Sequence, residues 1–241
     1  MDNSQLKYLK HWDSYWRAIE NSGPQAHVLW ETDPERSAWE DMQRFQPYFD
    51  KTLPLLDLGC GSGRQTRFLA QNFQKVIGVD VSPAVIKRAQ QAAADQENAE
   101  FQVLNAVNLE AAQAFHREFG DVNVYIRGVF HVIKETDRPT FVSSLRTLLG
   151  RHGTLYQIEL TTAALAYVRS IPHDGSFKFP RVVQPIGFDN DRDREIYYPS
   201  EQWELVDEGD NVPLHTITLQ NGEIGEVPSN YLILRPKEER A

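Results

Sequence analysis

The 241-residue chain carries one cysteine, Cys60, so no internal disulfide can form and a reducing compartment suits it. No apolar run approaches the roughly eighteen residues of a membrane span, and the polar, tryptophan-rich start lacks the basic head and greasy stretch of an export signal. A soluble, cytoplasmic protein without a membrane partner is expected. Positive charge is also scarce. Lys and Arg number 25 against 34 Asp and Glu, and the net charge of −9 repels phosphate backbones, with no local basic run to override it. Nucleic acid is therefore not expected as a partner. The seven histidines are scattered, with no Cys/His cluster and no H-x-x-x-H or H-E-x-x-H spacing, so no metal site is expected either. Internal repeats and low-complexity tracts are absent.

With 41% hydrophobic residues the chain can bury one good core, which predicts a single domain over 1–241. The centre of the pattern is Leu53 to Ala70, an apolar run broken by Gly59, Cys60, Gly61, Ser62 and Gly63 that leads into a helical pattern. Glycines at alternate positions let the backbone turn sharply and let a ligand approach the main chain, at a helix start whose free N–H groups attract a carboxylate. A dinucleotide site would space its glycines G-x-G-x-x-G, whereas the helix position here is Arg64. Asp57, two residues before the first glycine, would repel a pyrophosphate and welcome an ammonium or sulfonium group.

On these residues, Asp57, Gly59, Gly61 and Gly63 in the form D-x-G-x-G-x-G, the sequence resembles the class I S-adenosylmethionine-dependent methyltransferases. The resemblance covers roughly residues 50 to 235. It implies an α/β fold: a doubly wound, mostly parallel seven-stranded sheet with an antiparallel C-terminal strand pair and an N-terminal helical lid. The implied parts are a lid segment at 1–50, a cofactor-binding core at 51–160, a substrate-pocket insertion at 161–200 and C-terminal strands at 201–241. S-adenosylmethionine is the implied cofactor, held by Asp57, Gly59, Cys60, Gly61, Gly63, Asp80, Val81, Asn105, Ala106, Arg127 and Tyr15.

Several of these positions also follow from local pattern. Lys75 to Asp80 reads as a buried parallel strand, and Asp80 lies 21 residues after Gly59, the spacing at which an acid accepts ribose hydroxyl hydrogen bonds. Ser82-Pro83 supplies a cap and first-turn proline to a helix over 83–96, and 100–104 is a third strand leading to Asn105-Ala106. In the family an acidic residue usually stands there and binds the adenine amino group. Asn105 keeps the acceptor oxygen and could equally form a turn.

Residues 121–133 read as the fourth strand and a loop that borders the reactive methyl in this fold, so Arg127 to His131 should line the cleft. His131, Glu135 and His173 are the candidate proton acceptors, with packing as the alternative for His131. A helix is predicted from Thr136-Asp137-Arg138-Pro139 to Gly150, a strand over 153–159, a short helix over 199–205, and two closing strands joined at Gln220-Asn221-Gly222-Glu223. The long segment 172–199, with Phe177, Phe179 and Phe188, reads as a pocket insertion. Four of the five tryptophans precede the first strand, and Trp12, Tyr15 and Trp30 are candidates to cover the cofactor together with that insertion.

The expected activity is transfer of a methyl group to an O, N or C atom of a small organic molecule, by a monomer or homodimer. A protein-directed methyltransferase and a non-catalytic S-adenosylmethionine-binding protein are the alternatives, since a fold alone does not prove chemistry.

Overall fold

The computed structural model describes residues 3–21, 28, 30, 32–171, 188–219 and 223–238. Short apolar runs alternate with amphipathic segments in the first two-thirds of the chain. They form five parallel strands: β1 (Leu55–Leu58), β2 (Val76–Asp80), β3 (Ala99–Val103), β4 (Asn123–Arg127) and β5 (Leu155–Leu160). Two long C-terminal strands, β6 (Trp203–Thr218) and β7 (Ile224–Pro236), complete a sheet of order β3-β2-β1-β4-β5-β7-β6. Because β7 is antiparallel to both β5 and β6, it alone runs against the other six.

Strand order reverses at β1, which pairs with β2 on one side and β4 on the other; Leu58 aligns with both Val79 and Ile126. In open parallel sheets a crevice opens beyond the strand ends at such a reversal. The alternation of the strands divides the core. Leu56, Leu58, Val124 and Ile126 pack against α5 (Leu109–Phe119) and α6 (Arg138–Leu149). Leu55, Tyr125 and Tyr156 face α2 (Pro34–Phe45), α3 (Arg64–Leu69) and α7 (Thr162–Ser170).

Two helices precede and follow these layers. α1 (Asn3–Asn21) packs on α4 (Pro83–Ala92), burying Trp16 against Val85. α8 (Asn190–Tyr197) occupies the charged string that reads as loop in the sequence. It is a helix because Asp189 accepts the Arg192 N–H at 2.8 Å while the buried Asp193 carboxylate reaches back to the Asp189 N–H at 2.8 Å, a reciprocal cap. The predicted helix over 199–205 is corrected. Gln202 and Trp203 N–H groups both turn back to the Pro199 carbonyl, and Trp203 then pairs with Pro236 as the first residue of β6. The helix predicted over 83–96 is also shorter than expected, α4 ending at Ala92. The predicted turn at 220–222 lies outside the described residues.

A buried acid ties α2 to the sheet. Asp41 accepts the Tyr125 hydroxyl (2.8 Å), the Tyr156 hydroxyl (2.9 Å), Arg127 Nε (3.0 Å) and Arg44 Nη1 (3.1 Å). Burial, with Asp41 beside them, pushes both phenols well above their usual range, so they remain donors. Removing the acceptor would leave the Arg127 guanidinium without its carboxylate and two phenols without an acceptor in a dry interior. Asp41→Ala should therefore cost about 3–5 kcal/mol in urea unfolding, and a loss below about 1 kcal/mol would contradict this role.

Candidate functional site

The turn after β1 is pinned to β2: Gly59 and Cys60 N–H groups both donate to the Val79 carbonyl, at 2.8 and 3.0 Å. Gly61 and Gly63 have φ of +54° and +76°, a region that side chains strain to enter. A Cβ on Gly63 would also lie 2.5 Å from the Phe101 ring, so this glycine serves the start of α3 and the packing beneath it. Beyond the turn, Asp80 at the end of β2 accepts the Gly61 N–H (3.2 Å) and the Ser82 N–H (2.9 Å). Asp57, buried in β1, accepts the Thr66 hydroxyl at 2.6 Å.

Burial dominates the ionisation of both acids. Desolvation lifts Asp57 to about 7 and Asp80 to about 6, against the opposing hydrogen bonds from Thr66 and from backbone N–H groups. Among the described residues neither acid has a salt-bridge partner. Two under-compensated carboxylates on one cavity wall fit a ligand that brings hydroxyl and ammonium donors. Cys60 is inert by comparison, its thiol buried and pushed well above its usual range.

Fourteen of the sequence-predicted residues line a single cavity at the strand ends: Trp12, Trp30, Asp57, Gly59, Cys60, Gly61, Asp80, Val81, Asn105, Ala106, Arg127, Gly128, Val129 and His131. Two of them are also committed elsewhere. Asn105 Oδ1 accepts the Val107 N–H at 3.2 Å in a turn, and Arg127 holds Asp41 and, through Nη2, the His215 carbonyl at 2.7 Å. Four predicted residues are not on the wall. Gly63 packs below it, Phe130 is buried in the core against Phe141 and Phe188, Tyr15 stacks behind Trp30 with ring centroids 5.3 Å apart, and Glu135 stands exposed on the short helical turn before α6. His173 and residues 172–187 of the expected insertion lie outside the described residues.

Three contributors escaped the sequence reading. Tyr8 and Trp16 join Trp12 and Trp30 on the outer wall of the cavity. Their spacing, Tyr8-Trp12-Trp16, places them four apart on one helix face and was a legible signal. α1 is fastened across the strand ends at two points. Asp13 accepts Ser82 Oγ and the Ala84 N–H, both at 3.0 Å, and Tyr8 donates to Asp137 (2.8 Å) while accepting the Lys134 N–H (2.9 Å). Partial burial would raise Asp13, but these donors and Arg17 outweigh it and hold the carboxyl below its usual range. The third contributor is Glu159, at the end of β5. It accepts N–H groups of Val129 (2.8 Å) and Phe130 (2.6 Å) and meets His131 Nδ1 at 2.8 Å.

This arrangement of sheet, glycine turn and acid-lined cavity defines a nucleotide-cofactor enzyme of the doubly wound class. Residues 55–153 match a family described as a methyltransferase domain. A solved S-adenosylmethionine-dependent methyltransferase from Anabaena variabilis is 31% identical, with 98% of this chain and 96% of that one covered and a TM-score of 0.80. The chain belongs to the S-adenosylmethionine-dependent methyltransferases, and S-adenosylmethionine is its cofactor. The same fold is seen in a complex of DhpI with S-adenosylhomocysteine (16% identity, 96% and 98% covered, TM-score 0.60). It also recurs in the [4+2]-cyclase SpnF (15%, 97% of each chain, 0.61), a reminder that fold alone does not fix the reaction. No curated protein matches the chain. Among the described residues no helix is long and apolar enough to cross a membrane, and no group of His, Cys, Asp and Glu is placed to hold a metal.

A carboxyl whose folded pKa is raised makes the folded state bind a proton more readily than the unfolded chain. The cost is absent below the ordinary carboxylate range near pH 4, grows as pH rises through 6 and 7, and is complete above that. Asp57→Asn should flatten this loss in the ligand-free protein. At about pH 8 it should stabilise by roughly 1–3 kcal/mol, less than the full shift because the new amide is buried. Urea unfolding across pH checks this; an unchanged pH slope in Asp57→Asn would contradict it.

Proposed function

We propose that the protein, acting as one unit over 1–241, transfers a methyl group from S-adenosylmethionine to a small organic molecule in the cytoplasm. The observation that carries this reading is the enclosure of the cavity. α1 side chains close its outer side, and Leu160, Val168, Leu214, Ile217 and Val227 wall its far end. A chamber bounded this way suits a small acceptor better than a side chain presented on a protein surface.

In this reading Asp80 accepts the ribose hydroxyls and the main chain at Gly59, Cys60 and Gly61 approaches the cofactor closely. Asp57 faces its amino-acid end, while Val81, Asn105 and Ala106 flank the adenine. Trp12, Trp16 and Trp30 cover the outer side, where an aromatic face also favours a cation. When bound, S-adenosylmethionine supplies an electrophilic methyl whose C–S bond breaks, with its electron pair going to sulfur, as the acceptor's lone pair bonds to carbon. The protein's share is alignment and exclusion of water, worth about 7–11 kcal/mol in well-oriented reactions.

Incubating the protein and cofactor labelled in its methyl group with a cell extract, then separating small molecules from protein, tests the reading. Label in the small-molecule fraction is expected. Label in protein would establish the protein-directed alternative, and label in neither would favour a non-catalytic binder.

A further inference from the structure

The carboxylate of Glu159 is 0% exposed and fully occupied as an acceptor. One oxygen takes the Val129 and Phe130 N–H groups; the other takes the His131 N–H at 3.3 Å and sits 2.8 Å from His131 Nδ1. A carboxylate already holding three backbone donors can meet the ring only as an acceptor, so Nδ1 carries the proton and a neutral ring keeps its lone pair on Nε2. Among the described residues no hydrogen-bond partner meets Nε2, and His131 lines the cavity.

The cavity around this ring is selective in what it can solvate. Its far wall, Leu160, Val168, Leu214, Ile217 and Val227, is apolar. Arg127 is the one Lys or Arg among the described lining residues, and Asp41 and the His215 carbonyl already hold its Nε and Nη2. Among the described lining residues an anionic acceptor would find no cation that is not already paired. The acids that could pair an ammonium group, Asp57 and Asp80, lie at the glycine turn on the cofactor side.

We infer that Glu159 is a positioning residue that presents His131 Nε2 to the chamber as a proton acceptor, and that the acceptor molecule is accordingly neutral, largely apolar and methylated on a hydroxyl oxygen. As the oxygen forms its bond to carbon, its proton passes to Nε2. The resulting imidazolium faces Glu159 through Nδ1–H, and the proton leaves to water before the next turnover. A positioned base of this kind is worth 10²–10⁴-fold in rate.

The inference rests on the methyl-transfer reading, but its first test needs no turnover, so the two can fail separately. Long-range nitrogen–proton NMR of the wild-type protein with S-adenosylhomocysteine bound reads the His131 tautomer, and the Nδ1–H form is expected. In Glu159→Gln the side-chain amide replaces an acceptor by a donor opposite Nδ1, so the ring should switch to the Nε2–H form. The Nε2–H form in the wild type, or an unswitched ring in a Glu159→Gln protein that still binds S-adenosylhomocysteine, overturns the positioning role. If Glu159→Gln does not fold, the wild-type tautomer decides alone. The acceptor class is read from the labelled product of the extract experiment. A methyl ether whose formation falls about 10²–10⁴-fold in His131→Ala is expected, whereas a methyl ester, an N-methyl or a C-methyl product overturns it.

Discussion

Backbone N–H groups beyond the end of a strand have no ladder to join, and in this protein buried carboxylates take them. Asp80 collects Gly61 and Ser82; Glu159 collects Val129, Phe130 and His131. Each acid lies near the end of its own strand and holds the loop that follows a neighbouring one, so charge-assisted bonds add to the main-chain bonds from Gly59 and Cys60 to Val79 in fixing the loops around the crevice. Asp80 also has a chemical role open to it, since a carboxylate kept dry and only partly compensated is a strong acceptor for the hydroxyls of a ligand.

Behind the cleft, Asp41 performs the corresponding task for the fold. It joins α2 to β4 and β5 through two tyrosines and Arg127, and so takes into the core a cation that would otherwise be available to a ligand. Arg127 therefore shows how a residue can stand at a site and still serve the scaffold. Asp57 pairs in register with Tyr125 and is buried, its carboxylate bonded to Thr66 in α3. The result is a cavity whose polar groups are concentrated on the cofactor side, with apolar side chains beyond.

The glycine turn was legible because its pattern is local: the alternate glycines, Asp57 and the interval to Asp80 all fall within one strand–turn–helix–strand unit. The parts that escaped depend on distant partners. Arg127 reads as a cleft residue until Asp41, 86 positions earlier, is folded against it. Glu159 is visible as an acid at a strand end, but nothing local says that it holds a loop 28 to 30 residues before it. The early part of β6 is hard to read in the sequence because register shifts at Leu205/Asp207 and Gly209/Val212 break its alternation, and because Asp207, Gly209 and Pro213 are poor strand signals. The sequence reading takes Trp12 from the Tyr8-Trp12-Trp16 face without Tyr8 or Trp16, and takes with it Tyr15, which packs one layer behind.

The central claim, that the cleft beyond β1 holds S-adenosylmethionine by close approach to the glycine turn, is tested most directly by calorimetric titration of S-adenosylhomocysteine into Gly61→Val. Gly61 has φ of +54° and its N–H anchors Asp80, so a β-branched side chain there disturbs both the turn and the acid that faces the ligand. The wild-type protein should bind. The variant should give no measurable heat of binding while its circular dichroism remains that of a folded protein, because the turn lies at the rim of the sheet. Wild-type affinity in folded Gly61→Val would contradict the placement of the cofactor.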